Sequence, residues 1–143
     1  MNPPTISMST GDQSLHTYLP EGELRAYDIP ATFRTESGHF RGETTYTLDG
    51  INDLNSLHAS LLELDRVAGI VREHEHEEVW SPDARTVWLT FTLSPRGHLR
   101  VKVSLQDDQL HAELRVRLNA DQSYLPAWIQ AVGDVVERTH LIL

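Results

Sequence analysis

Three stretches of the chain between residues 86 and 118 alternate strictly between apolar and polar positions. The apolar positions are Val87, Leu89, Phe91 and Leu93, then Leu99, Val101, Val103 and Leu105, and finally Leu110, Ala112, Leu114, Val116 and Leu118. A period of two residues is typical of a β-strand that buries one face. Turn sequences at residues 94–97 and 106–109 separate the stretches, so the pattern predicts an antiparallel three-stranded meander.

A segment before the meander repeats its apolar residues at intervals of three and four. The repeat runs from Ile51 to Val67, with polar residues between the members of the apolar stripe. This spacing predicts an amphipathic helix. Asp49 or Asn52 is available as its N-cap, and Gly69 lies near its end.

The same helical spacing returns after the meander, from Leu125 to Val136. Proline lacks a backbone N–H and is tolerated in a helix only within the first turn. Pro126 therefore fixes where this second helix starts, and its cap is predicted near Ser123 or Gln122.

The N-terminal part gives weaker patterns. Residues 1–20 are rich in Ser, Thr, Pro and Gly and show no clear period, which favours a flexible segment outside the folded domain. Three strand candidates follow, at Leu24–Ile29, Ala31–Thr35 and Phe40–Leu48, separated by the turn signals Pro30 and Ser37-Gly38.

The order of these elements, β-β(-β)-α-β-β-β-α, predicts the α+β class. We expect a single domain over residues 21–143, built on a largely antiparallel sheet of the N-terminal strands and the meander. Each helix has one apolar stripe and the sheet has one apolar face, so both helices are predicted to pack on one face of the sheet.

Charge is distributed unevenly along the chain. The net charge is −9, and residues 49–83 contain nine Asp and Glu against two Arg, whereas residues 84–118 contain six Lys and Arg against three Asp and Glu. Overall acidity disfavours generic binding to nucleic acid or to anionic membranes. The chain contains no Cys, no secretory signal and no long apolar run, which favours a cytoplasmic protein without disulfides, zinc ribbons or a thiol nucleophile.

The acidic segment contains the sequence His74-Glu75-His76-Glu77-Glu78. On an extended chain, His74, His76 and Glu78 project to the same side, and three such ligands could hold zinc or nickel. A metal-binding protein or metal-dependent enzyme that uses these residues is therefore one alternative function. The alternative is that these residues form an ordinary solvated edge. The sequence contains no nucleophile elbow, phosphate-binding loop or metalloprotease motif, so nothing in it indicates an enzyme or a cofactor.

The polar positions of the meander include an aromatic residue among cations. Trp88, Arg100, Lys102, Arg115 and Arg117 are all predicted to point away from the apolar face. Several RNA-binding domains present such a surface, and RNA binding is therefore one hypothesis. The alternative is that the charges only solvate the sheet and that Lys102 pairs with Glu113 across the strands.

Residues 39–138 resemble the WapI-like immunity proteins of bacterial polymorphic and contact-dependent toxin systems. The resemblance rests on Phe40-x-Gly42, the 51–64 helix, Val87-x-Leu89, Arg96-Gly97-His98-Leu99-x-Val101-x-Val103 and Asp121-Gln122-Ser123-x-Leu125. These are turn, strand and cap sequences. The acidic segment is not part of the family pattern.

The resemblance implies a non-enzymatic inhibitor that neutralises a cognate protein toxin in the cytoplasm. If that toxin were a nuclease, its basic groove would attract an acidic inhibitor. The leading functional prediction is therefore an immunity protein, and its predicted contact residues are Glu73, Glu75, Glu77, Glu78 and Trp80. Trp80 follows the acidic run in a loop bounded by proline, and we expect it to be a partly exposed anchor.

Overall fold

The described part of the chain forms two antiparallel sheets of four strands each, with one helix between them in sequence and a second helix at the end. The computed structural model describes residues 3–22, 24–25, 27–83, 86–107 and 112–139. The first sheet contains β1 (Ile6–Thr10), β2 (Gln13–Tyr18), β3 (Ile29–Ser37) and β4 (Phe40–Leu48). Helix α1 (Gly50–Ala68) leads to the second sheet, which contains β5 (His76–Asp83), β6 (Val87–Leu93), β7 (His98–Asp107) and β8 (Ala112–Asp121). A single 3₁₀ turn (Gln122–Tyr124) then opens into α2 (Leu125–Thr139).

This architecture confirms the predicted α+β class, the antiparallel pairing and the order of strands and helices. The meander is confirmed as β6–β7–β8, with each strand paired to the next. Residues 108–111 lie outside the described residues, and they include part of the predicted turn at 106–109 and the start of the predicted third strand. The strands form two sheets, however, and not the single sheet that the pattern predicts.

The helices begin and end close to the predicted positions. Asp49 occupies the N-cap position of α1 and Gly69 its C-cap position. Before α2, Asp121 takes the capping role predicted for Ser123 or Gln122, because its carboxylate accepts a hydrogen bond from the backbone N–H of Ser123 at 2.8 Å. The cap therefore precedes the 3₁₀ turn, whereas the sequence pattern predicts it directly before α2.

The N-terminal segment corrects the prediction that residues 1–20 lie outside the domain. β1 and β2 form an antiparallel hairpin in which Ile6 pairs with Thr17 and Met8 with Leu15. Ile6, Met8 and Leu15 are all buried in the core. Alternation is present in this segment, but Thr10 and Thr17 occupy inward positions, so a search for apolar residues alone does not detect it.

The strand predicted at Leu24–Ile29 is also wrong, since the described residues of that range before Ile29 form no strand. Asp28 has a φ of 52°, a left-handed conformation that interrupts an extended chain. Pro30 lies inside β3 and does not end a strand. It is tolerated there because the pairing of β2 with β3 stops at Thr32, which leaves Pro30 flanked only by β4.

Both sheets and both helices contribute to one hydrophobic core. Helix α1 packs against α2 and β5, and α2 also contacts β1. The side chains that are almost fully buried come from every layer: Phe33, Phe91, Met8, Ile29, Leu48, Leu54, Leu61, Leu64, Leu89, Leu93, Leu99 and Leu118. Within the described part of the chain, no helix is both long enough and apolar enough to cross a membrane.

The two sheets approach one another closely where β4 crosses the β7–β8 hairpin. The Thr44 hydroxyl donates to the carbonyl of Gln106 at 3.0 Å. A Cβ added at Gly42 would lie 2.3 Å from Cδ2 of Leu114 and 3.2 Å from its Cβ. A side chain at position 42 would therefore force Leu114 to shift.

Replacing Gly42 with alanine is expected to lower the free energy of unfolding by about 1–3 kcal/mol, because the added methyl overpacks this contact. The measurement is urea denaturation followed by circular dichroism. In a Leu114→Ala background the same substitution should cost clearly less, since the closest atom, Cδ2 of Leu114, is gone. Equal costs in the two backgrounds would contradict this account of the contact.

Candidate functional site

The outer surface of the second sheet carries the cations predicted from the sequence. Along β6, β7 and β8, the apolar residues face the core and the polar residues face outward. Five outward side chains define what we call the basic face: Trp88, Arg100, Lys102, Arg115 and Arg117. The structure therefore brings together all five residues that the alternation places on one side.

The strand register sets the order of these side chains. Lys102 is the direct cross-strand partner of Arg117, whereas Ser104 lies between Trp88 and Arg115. Within the described residues, no carboxylate lies within ion-pair distance of Lys102 or Arg117. The predicted pairing of Lys102 with Glu113 is therefore not formed. Two like charges directly opposite one another disfavour the folded sheet.

The other two cations of the basic face have acidic partners. Arg100 lies 3.6 Å from a carboxylate oxygen of Glu75. Arg115 donates to Glu113 at 2.6 Å, and the hydroxyl of Ser104 donates to the same oxygen at 3.0 Å. These hydrogen bonds, from Arg115 first and Ser104 second, lower the pKa of Glu113 below its ordinary value.

Trp88 is the aromatic residue of the basic face. Its side chain is 40% exposed, and its indole N–H donates to the hydroxyl of Thr90 at 2.9 Å. This bond lies along the strand and restricts the orientation of the ring. The other two tryptophans, Trp80 and Trp128, are each only 3% exposed.

An open groove of about 720 Å³ lies on this surface. Its lining contains Trp88, Thr90, Lys102, Val103, Ser104, Gln106, Glu113, Arg115, Val116 and Arg117. The sequence prediction includes the aromatic and the cations but misses the contribution of Thr90, Ser104 and Gln106. The same two-residue alternation identifies them, since they occupy outward positions of the same strands.

The acidic segment is divided between a loop and a strand. Glu73, His74 and Glu75 are exposed and precede β5, whereas residues 76–78 begin that edge strand and pair with β6. The local pattern predicts no strand here because charged residues fill both faces. The segment lies against the meander, and Glu75 reaches the basic face through Arg100.

Trp80 is not the exposed anchor that its place in the sequence predicts. It is 3% exposed, its indole N–H donates to the carbonyl of Asp53 at 2.9 Å, and its ring lies 6.2 Å from that of Phe33. It connects β5 to α1 and to the first sheet. Trp80 follows a run of charged residues, so the sequence pattern does not indicate that it occupies an inward position on β5.

The predicted metal site is not assembled. His76 lies 3.9 Å from Glu78, but His74 is exposed and lies before the strand. Among the described residues, no group of three His, Cys, Asp or Glu side chains converges as metal ligands would. Residues i and i+2 project to the same side only within a continuous strand. Since β5 begins at His76, His74 lies outside the strand and does not share the side of His76 and Glu78.

Comparisons with known proteins gave similarities of structure only. No family model matches the chain, and no curated protein matches it significantly. WHY1 from Arabidopsis thaliana is 14% identical, with a TM-score of 0.48 over 92% of this chain and 87% of that one. WHY3 from Arabidopsis thaliana is 13% identical, with a TM-score of 0.43 over 94% and 86%. The plant transcriptional regulator PBF-2 is 11% identical, with a TM-score of 0.45 over 94% and 80%.

These neighbours contradict the leading functional prediction. The three solved structures named above are WHY1, WHY3 and a plant transcriptional regulator, and none of the three is described as a toxin inhibitor. The predictions of an immunity protein, of a toxin partner and of unlikely nucleic-acid binding are therefore wrong. At these identities and TM-scores, no residue role is transferred from them.

Proposed function

We propose that the chain is a non-enzymatic, cytoplasmic protein that binds single-stranded nucleic acid through the basic face. The observation that carries this proposal is the pair formed by Lys102 and Arg117, which are directly opposite one another and have no carboxylate partner among the described residues. Such a pair disfavours folding. A phosphate between the two side chains would turn the repulsion into two charge-assisted hydrogen bonds.

Trp88 supports a single-stranded ligand over a duplex. Its exposed ring lies on the same face as the two cations and is held by Thr90. An unpaired base can stack on such a ring, and stacking of this kind contributes about 1–3 kcal/mol per base without strong sequence preference. The bases of a duplex already stack on one another, so they are not available to Trp88.

The net charge of −9 does not oppose this proposal. Exposed charges further apart than the Debye length, which is about 8 Å at physiological ionic strength, are largely screened from one another. Phosphates on the basic face therefore respond mainly to the cations there. The excess acid on the rest of the surface would lower affinity chiefly at low salt.

The proposal is tested by titrating the protein with single-stranded RNA and DNA oligonucleotides while tryptophan fluorescence is recorded. Since Trp80 and Trp128 are buried, a quench on binding is expected to come from Trp88. A Trp88→Phe variant should lose the quench, and fluorescence anisotropy of a labelled oligonucleotide should show it binding more weakly. Duplexes of the same sequence should bind less well than either single strand.

Two results would contradict the proposal. One is the absence of any fluorescence or anisotropy change up to about 100 μM protein at physiological salt, where even non-specific complexes form. The other is binding that leaves Trp88 unquenched, since the ligand would then lie elsewhere.

A further inference from the structure

The four cations of the basic face fall into two classes. Lys102 and Arg117 have no carboxylate partner among the described residues, whereas Arg100 is held by Glu75 and Arg115 by Glu113. The carboxylate of Glu113 is held in place by two hydrogen bonds to the same oxygen, one from Arg115 and one from the hydroxyl of Ser104. The pKa of Glu113 is lowered by these bonds, so its carboxylate stays charged over a wider pH range.

The register places the held cations on either side of the open pair. Lys102 and Arg117 share one row across the sheet, while Arg115 lies in the next row toward Trp88 and Arg100 in the next row the other way. Rows on one face of a sheet are two residues apart, or about 6.8 Å. A single strand lying along the β-strands would therefore meet a held cation before and after the open pair.

We infer that Glu75 and Glu113 are specificity-determining residues that restrict this face to a short single-stranded segment. By pairing with Arg100 and Arg115, they compete with the neighbouring phosphates for these two cations, and they add negative charge at both ends of the open pair. The inference rests on the proposed function, and it concerns the length of the bound segment and the number of phosphates that it engages.

The effect of Glu75 and Glu113 on binding is measurable because exposed ion pairs are weak enough for a phosphate to compete with them. Pairs of this kind contribute between about 0 and 1 kcal/mol, so a phosphate competes with each carboxylate at a modest cost. Freeing one cation is expected to tighten binding by about 1.5- to 5-fold. The salt dependence of binding should change more clearly than the affinity. Each phosphate neutralised on a single strand makes the slope of log K against log salt more negative by about 0.7.

The experiment compares wild type with Glu75→Gln/Glu113→Gln on single-stranded oligonucleotides of increasing length. Wild type is expected to show a slope of about −0.7, for the one phosphate that Lys102 and Arg117 share, and an affinity that levels off at short length. The double variant should reach a slope of about −2.1, for three phosphates, with an affinity that keeps rising on longer oligonucleotides. Glu21→Gln/Glu137→Gln changes the net charge equally at exposed positions outside the second sheet and should behave as wild type.

The outcomes separate the inference from the proposed function. If wild type binds and the double variant shows the same slope and length dependence, the inference is wrong and the proposed function stands. An equal gain in the control variant also overturns the inference, since net charge alone would then explain it. If neither wild type nor the variant binds, both the proposed function and the inference fail.

Discussion

Replacing Lys102 with glutamate is expected to weaken binding of single-stranded nucleic acid by about tenfold to a hundredfold while the protein becomes more stable. A hydrogen bond to a charged group contributes about 1.5–3 kcal/mol, and Lys102 supplies half of the open cation pair. The new carboxylate would lie directly opposite Arg117. An opposite-charge pair at this position stabilises the sheet by about 0.2–1 kcal/mol.

The two effects have opposite signs, and this distinguishes a binding residue from a structural one. Binding is measured by fluorescence anisotropy, and the free energy of unfolding by urea denaturation. Arg25→Glu makes the same change in net charge at an exposed position outside the second sheet and should leave binding nearly unchanged. Loss of binding together with loss of stability would instead mean that Lys102 serves the fold.

Replacing Trp80 with alanine is expected to lower the free energy of unfolding by about 3–5 kcal/mol. The side chain is 3% exposed and lies against Phe33, and its indole N–H donates to the carbonyl of Asp53. Truncation would therefore leave a cavity where β5, α1 and the first sheet meet. Since domains are stable by only about 5–15 kcal/mol, a large part of the total would be lost.

The neighbouring residue provides a matched control for this substitution. Val79 is on the same strand but is 44% exposed, and Val79→Ala should cost less than about 1 kcal/mol. Urea denaturation of the two variants measures the difference. Similar small costs for both would place Trp80 at the surface, as its sequence context predicts, and would contradict the structure.

The elements predicted correctly are those in which apolar residues alone mark the period. Leu54, Leu57, Leu61 and Leu64 all face the core from one side of α1, as their spacing of three and four requires. The alternation in the meander likewise suffices to place Trp88 and four cations on one outward face. Local periodicity is sufficient there because each side chain's direction follows from its own strand or helix.

The elements missed are those in which polar residues occupy inward positions or charged residues occupy an edge. Thr10, Ser14 and Thr17 are buried polar residues of the first hairpin, and they conceal β1 and β2. At the start of β5, charged residues occupy both faces of the strand, so no alternation of apolar and polar residues marks it. In these segments burial depends on the partner strand and on the covering helix, and neither can be read from the local pattern.

The sequence by itself determined the α+β class, the order of elements and the composition of the basic face, because these depend on side-chain period along single elements. Only the tertiary structure decided which cations are available. The register of β7 and β8 sets Lys102 opposite Arg117, and it brings Ser104 to the carboxylate of Glu113 that pairs with Arg115. The position of the residues before β5 brings Glu75 to Arg100. Electrostatic pairing acts between side chains that are neighbours in space, and that proximity is fixed by strand pairing and packing.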